Sequence, residues 1–145
     1  MLISRIGVGA WAMGGSGWET SWGAQEDADS IAAIRRAVEA GVNWIDTAPI
    51  YGLGHSEEVV GRALLGLGDA ERPYVFTKAG LIWDPSDPMR APAKVGAPES
   101  IKAEVDESLS RLASSVSSVC RSRSPAKASA TRPIDIKSGS QRMEI

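Results

Sequence analysis

The sequence predicts an α/β fold built on parallel strands, and three observations carry that prediction. Short runs with the bulk of strands occur at residues 5–9, 42–46 and 74–78; a stretch with helical period follows each, at 26–40, 56–68 and 98–112; glycines and prolines separate them. Strands and helices alternating in this order bury a parallel sheet through right-handed crossovers. Composition agrees: of 145 residues, 43% are apolar and 23% charged, the balance of a chain that folds around a core.

Arg5-Ile6-Gly7-Val8-Gly9 reads as the first strand. Residues 10–24 then form a glycine-rich loop carrying Trp11, Met13, Trp18 and Trp22. Two roles fit these side chains: walls on which a ligand stacks, or plugs that seal the loop against the core. Gly7-Val8-Gly9-Ala10-Trp11-Ala12 satisfies a relaxed G-x-G-x-x-[GA] fingerprint. That motif grips a pyrophosphate only when the turn opens directly into a helix, and here the next helical period starts near Glu26. A Rossmann-type site is therefore not predicted.

Residues 26–40 form a helix with Ile31, Ile34 and Val38 as its apolar stripe and acids in its first turn, and Gly41 supplies a left-handed stop. The strand Val42-Asn43-Trp44-Ile45-Asp46 ends at Thr47-Ala48-Pro49, because proline brings no N–H to a ladder. Tyr51 follows in a glycine-flanked loop. Ser56 or His55 caps the next helix, which has Glu57 and Glu58 in its first turn and Val60, Leu64 and Leu67 on one face. Pro73 introduces the strand Tyr74-Val75-Phe76-Thr77-Lys78. Residues 79–97 show no helical or strand period, so a long loop is expected above Lys78. Pro98 suits a first helical position, and Ile101, Val105, Leu109 and Leu112 mark the apolar face of a third helix.

Counting in twos, Trp44 and Asp46 share a face of one strand, as Phe76 and Lys78 do of the other. In parallel neighbours about 4.8 Å apart, Asp46 and Lys78 can pair. A buried lysine held this way favours the phenolate form of a nearby tyrosine, which makes Tyr51 a proton donor. Parallel α/β folds carry their chemistry at this carboxyl rim. Taken singly, each of the three also fits a solvated cap or loop residue; their convergence at matched strand ends is what predicts a site.

The net charge of −2 offers no basic field for nucleic acid. No apolar run reaches the roughly 18 residues of a membrane span, and Met1-Leu2-Ile3-Ser4-Arg5 lacks the apolar core of a secretory signal, so a cytoplasmic protein with no membrane partner is expected. The single cysteine, Cys120, excludes an intrachain disulfide and a multi-cysteine metal site, and no metal is expected. Residues 1–113 carry ten Lys/Arg against sixteen Asp/Glu, whereas residues 114–145 carry six against two, with nine serines. That shift predicts a domain at 1–113 and a disordered Ser/Arg-rich tail at 114–145.

Four stretches resemble the aldo-keto reductases: R-I-G-V-G-A-W-A-M-G-G at 5–15, D-T-A-P-I-Y-G-L-G-H-S-E-E at 46–58, V-F-T-K at 75–78 and P-E-S-I-K-A-E-V-D-E-S-L-S-R-L at 98–112. The match is closest to bacterial members related to the general stress proteins and the potassium-channel β-subunits. The resemblance implies a TIM-type (β/α)8 barrel, of which about three βα units are present here, since a full barrel takes about 250 residues. It implies NADPH-dependent reduction of an aldehyde or ketone, with Tyr51 as proton donor, Lys78 tuning it and Asp46 orienting Lys78. It also implies Gly9, Ala10, Trp11 and Asp46 at the cofactor, and Trp11, Trp22 and Tyr51 against a small-molecule carbonyl substrate.

The family's fourth catalytic residue, a histidine ending the fourth strand, and its main cofactor-phosphate contacts fall in segments this chain lacks. His55 does not align with that histidine and reads as a cap or loop residue. Three functional expectations result. The first is a reductase of this family. The second is a truncated or frame-shifted product, interrupted near Ala113, that neither binds NADPH tightly nor turns over. The third, from another class, is a binding module whose Arg121, Arg123, Lys127 and Arg132 tail docks an acidic partner or nucleic acid.

Overall fold

The computed structural model describes residues 2–68 and 70–113; the tail expected at 114–145 lies outside the described residues. Strands β1 (Val8–Gly9), β2 (Trp44–Asp46) and β3 (Tyr74–Phe76) pair in parallel in that order, with Val8 opposite Ile45 and Asp46 opposite Phe76. Each strand is shorter than its run in the sequence. Ahead of β2 the reason is local: the Ser4 amide donates to Asn43 Oδ1 at 2.8 Å and the Asn43 amide to Ser4 Oγ at 3.2 Å, side-chain bonds that replace ladder bonds.

Three helices accompany the sheet: α1 (Asp27–Glu39), α2 (His55–Ala63) and α3 (Pro98–Ala113). Helix α2 lies between the other two and, with its C-cap Leu64, supplies most of the core, where Val59, Val60, Ala63 and Leu64 meet Ile34 of α1, Ile45 of β2 and Ala10. As expected, α1 stops at Gly41, whose φ of +89° is the left-handed conformation that ends a helix without strain. Among the described residues, no helix is long and apolar enough to cross a membrane.

Three sequence expectations are corrected. Neither Ser56 nor His55 caps α2; Gly54, at φ +101°, occupies that position, and both side chains are drawn into tertiary contacts instead. Residues 79–97 are not a featureless loop, for β4 (Leu81–Ile82) and β5 (Ala93–Lys94) pair antiparallel within them. Two residues per strand are too few to leave a period in the sequence. The stripe of α3 is also turned: Val105 and Leu109 are 41% and 57% exposed, while Glu104 and Ser108 are buried. Polar anchors set this orientation, since Glu104 accepts the Gly80 amide at 2.7 Å and Arg111 reaches Glu57 of α2 at 2.6 Å.

Candidate active site

The register of the sheet builds the site. Asp46 ends β2 opposite Phe76 of β3, so Lys78, two residues further on, rises beside the Asp46 carboxylate. Its ammonium nitrogen lies 2.8 and 3.0 Å from the two carboxylate oxygens, 3.0 Å from the Thr47 carbonyl and 3.2 Å from the Tyr51 phenolic oxygen. An ammonium has three donors and no acceptor, and here all three are directed. Lys78 also lies over the tyrosine ring, 4.9 Å from its centroid.

The lysine was expected to be buried. It is 47% exposed, and Asp46 40%, because nothing among the described residues covers the inner face of the sheet at this rim. What burial there is pulls Lys78 toward neutrality, but the hydrogen bonds and charge of Asp46, with Tyr51, outweigh it and hold the ammonium above the ordinary lysine range.

Tyr51 is held from the side by the tryptophan loop. Trp11 stacks on its ring at 5.6 Å with 3° between planes, and Trp18 tilts against it at 6.5 Å. The loop can lie this close because Gly14 meets Gly52 backbone to backbone; a Cβ on Gly14 would stand 2.6 Å from the Gly52 nitrogen. The reading of these rings as plugs holds for one of them. Trp18 is buried and plugs the loop, whereas Trp11 and Trp22 are 41% and 75% exposed, with centroids 5.8 Å apart.

Beneath the rim a buried relay ties the strand ends together. Ser56 Oγ donates to the Ala10 carbonyl at 2.7 Å, so its contact with Thr47 Oγ1 at 3.0 Å has the threonine as donor. The Ala10 amide donates to the Asp46 carbonyl at 2.9 Å. Ala10, expected at the cofactor, is fully buried with amide and carbonyl both engaged, and its amide ties the end of β1 to β2. Gly9 is exposed, with open space where a Cβ would stand. His55 faces away from the site and joins Asp27 of α1 at 2.8 Å.

A cavity of about 260 Å³ opens beside Tyr51, lined by Trp11, Trp18, Leu81, Trp83 and Pro88 among others. Trp83 was not singled out from the sequence; an aromatic residue five positions past Lys78 was the available signal. A larger groove of about 620 Å³ lies by Arg35, Asn43, Arg72 and Tyr74, away from the three polar residues. Among the described residues, no group of three or more His, Cys, Asp or Glu could hold a metal ion.

Comparison with known proteins adds to this geometry. The profile of the Aldo/keto reductase family matches residues 5–116. The chain is 41% identical over 109 residues to the aldo-keto reductase YhdN of Bacillus subtilis, covering 75% of this chain and 30% of that protein. It is 40% identical over 119 residues to an NADH-specific methylglyoxal reductase of Escherichia coli, covering 77% and 35%. Among solved structures, the glycerol dehydrogenase AKR11B4 of Gluconobacter oxydans superposes with a TM-score of 0.59 at 44% identity, covering 76% of this chain and 32% of that one. The chain thus spans about a third of the length of the relatives it matches.

Proposed function

Because this chain belongs to the aldo-keto reductase family, and its three βα units are part of that family's barrel, we propose that Asp46, Lys78 and Tyr51 serve the NADPH-dependent reduction of an aldehyde or ketone, with Tyr51 as the proton donor. The observation that carries this reading is the direction of the Lys78–Tyr51 hydrogen bond. Lys78 donates to the phenolic oxygen, which leaves the tyrosine's own proton for an acceptor in the adjoining cavity.

The residues at the rim suit a nicotinamide cofactor. The exposed face of Trp11, its neighbour Trp22 and the open backbone at Gly9 offer a flat ring system a place to lie, and Asp46 borders it. When bound, the reduced nicotinamide supplies the hydride to the carbonyl carbon. Tyr51 gives its proton to the carbonyl oxygen as negative charge develops there, and the Lys78 ammonium stabilises the phenolate left behind. Asp46 holds the ammonium in place. The apolar walls made by Trp11, Trp83 and Leu81 suit a small carbonyl compound with an aromatic or alkyl body. NADPH follows the family resemblance, and the NADH-specific relative makes NADH the natural control. A cytoplasmic location accords with an NADPH-linked reductase.

A second reading is favoured by the span of the match: at about a third of its relatives' length, the chain by itself does not turn over. One assay separates the two. NADPH oxidation by the purified chain with dicarbonyl and aromatic aldehyde substrates, abolished by Tyr51→Phe, supports the first; no oxidation supports the second. The chemistry of the rim is then tested in a chimera in which residues 5–113 replace the matching segment of the Bacillus subtilis relative. A folded chimera that binds NADPH without reducing carbonyls counts against the proposal.

A further inference from the structure

Glu57 is fully buried on α2, yet no step of the proposed reaction uses it. One carboxylate oxygen accepts the Arg111 Nε–H at 2.6 Å, and the other accepts the Thr77 hydroxyl at 2.5 Å. Arg111 is itself 17% exposed, and it packs over Gly54, where a Cβ would stand 3.0 Å from its side chain. A carboxylate withdrawn from water persists only with strong partners, and these two come from different elements. Through them a single side chain fastens α3 and the end of β3 to α2.

Thr77 is the residue before Lys78. Successive side chains point to opposite faces of an extended chain, so Thr77 turns toward the helices as Lys78 turns toward the site. The Thr47 amide adds a backbone bond to the Phe76 carbonyl at 2.8 Å, one residue earlier. We propose that Glu57 is a positioning residue for the proton-donating site: by holding the Thr77 hydroxyl it fixes the backbone from which Lys78 reaches Asp46, Thr47 and Tyr51. The inference rests on the functional reading above, but its test does not need turnover.

The test is acylation of the full chain by an amine-reactive acetyl ester under limiting reagent, with Lys78 modification measured by mass spectrometry against Lys94 and Lys102 in the same molecule. A bound ammonium held by three acceptors reacts slowly. Thr77→Val removes the hydroxyl and leaves the Glu57–Arg111 pair in place; it should raise the Lys78 rate relative to the two controls by about threefold to tenfold, the equivalent of one hydrogen bond. Glu57→Gln should do the same, and Thr77→Ser should restore the original ratio. The proposal is overturned if Thr77→Val, with an unchanged helical circular dichroism signal, leaves the Lys78 ratio where it was. Should Glu57→Gln fail to fold, Thr77→Val alone decides. Lack of turnover with an altered ratio bears on the functional reading and not on this one.

Discussion

Lys78 donates to Tyr51 across 3.2 Å, while its remaining donors are taken by the Asp46 carboxylate and the Thr47 carbonyl. On the reading proposed above, that relationship makes the phenol a donor toward the cavity, with a positive charge beside the oxygen that would lose its proton. Replacing the lysine by methionine preserves bulk and removes both the charge and the hydrogen bond. In the chimera, Lys78→Met should lower kcat by about 10²-fold with a smaller change in KM, because the charge matters most as the proton leaves.

The same pair has a stability signature. Lys78 is held above its ordinary value of 10.5 in the folded chain, so its contribution is fully present below that pH and is lost as pH rises through the higher folded value. Urea unfolding should show Lys78→Met slightly less stable at neutral pH, with the gap closing in strong alkali.

Gly14 and Gly52 set how closely the tryptophan loop approaches Tyr51. Gly14→Ala brings a methyl group to 2.6 Å from the Gly52 nitrogen, and backbone cannot yield as a flexible side chain would. A loss of about 1–3 kcal/mol is expected in thermal unfolding. The tryptophan emission should also shift, as Trp11 separates from the Tyr51 ring.

Ser56→Ala removes the middle of the buried relay: the Ala10 carbonyl keeps the Met13 amide at 3.1 Å, but the buried Thr47 hydroxyl loses its acceptor. The cost should be about 1–3 kcal/mol in denaturant unfolding, large for the loss of one oxygen atom. Ser56→Thr keeps the hydroxyl and tests whether crowding or the hydrogen bond is at stake.

Much of this rim was legible in the sequence because it depends on strand alternation. Asp46 and Lys78 lie at matched ends of neighbouring parallel strands, and alternation alone puts both on the Trp44–Phe76 face, where those two rings meet edge to face at 6.1 Å. What alternation and helical period do not encode is which face of a helix its neighbours turn inward. The third helix has a clear apolar stripe, yet Glu104 and Arg111 are the residues drawn in, by partners 24 and 54 positions away in the chain. Glu57 read as an ordinary first-turn acid for the same reason. Its burial depends on Arg111 and Thr77, and no local pattern connects them.

Asp27 joins α1 to α2 by accepting from Arg62 at 2.6 Å and pairing with His55 at 2.8 Å. The Arg62 hydrogen bond, joined by His55 and opposed by partial burial, holds its carboxyl below the ordinary value of 3.8. A depressed carboxylate stabilises the fold above its unfolded value, and that contribution is lost as pH falls through the lower folded value. Asp27→Asn should therefore lower the melting temperature at pH 7, and the difference from the unaltered chain should vanish in acid below the ordinary carboxylate range.

The most direct measurement is NADPH oxidation, followed by absorbance, in the chimera carrying residues 5–113, compared with the same chimera bearing Tyr51→Phe. The proton-donor account predicts carbonyl-dependent oxidation that falls by about 10²–10⁴-fold when the hydroxyl is removed, while NADPH binding persists. Equal rates in the two proteins would contradict it.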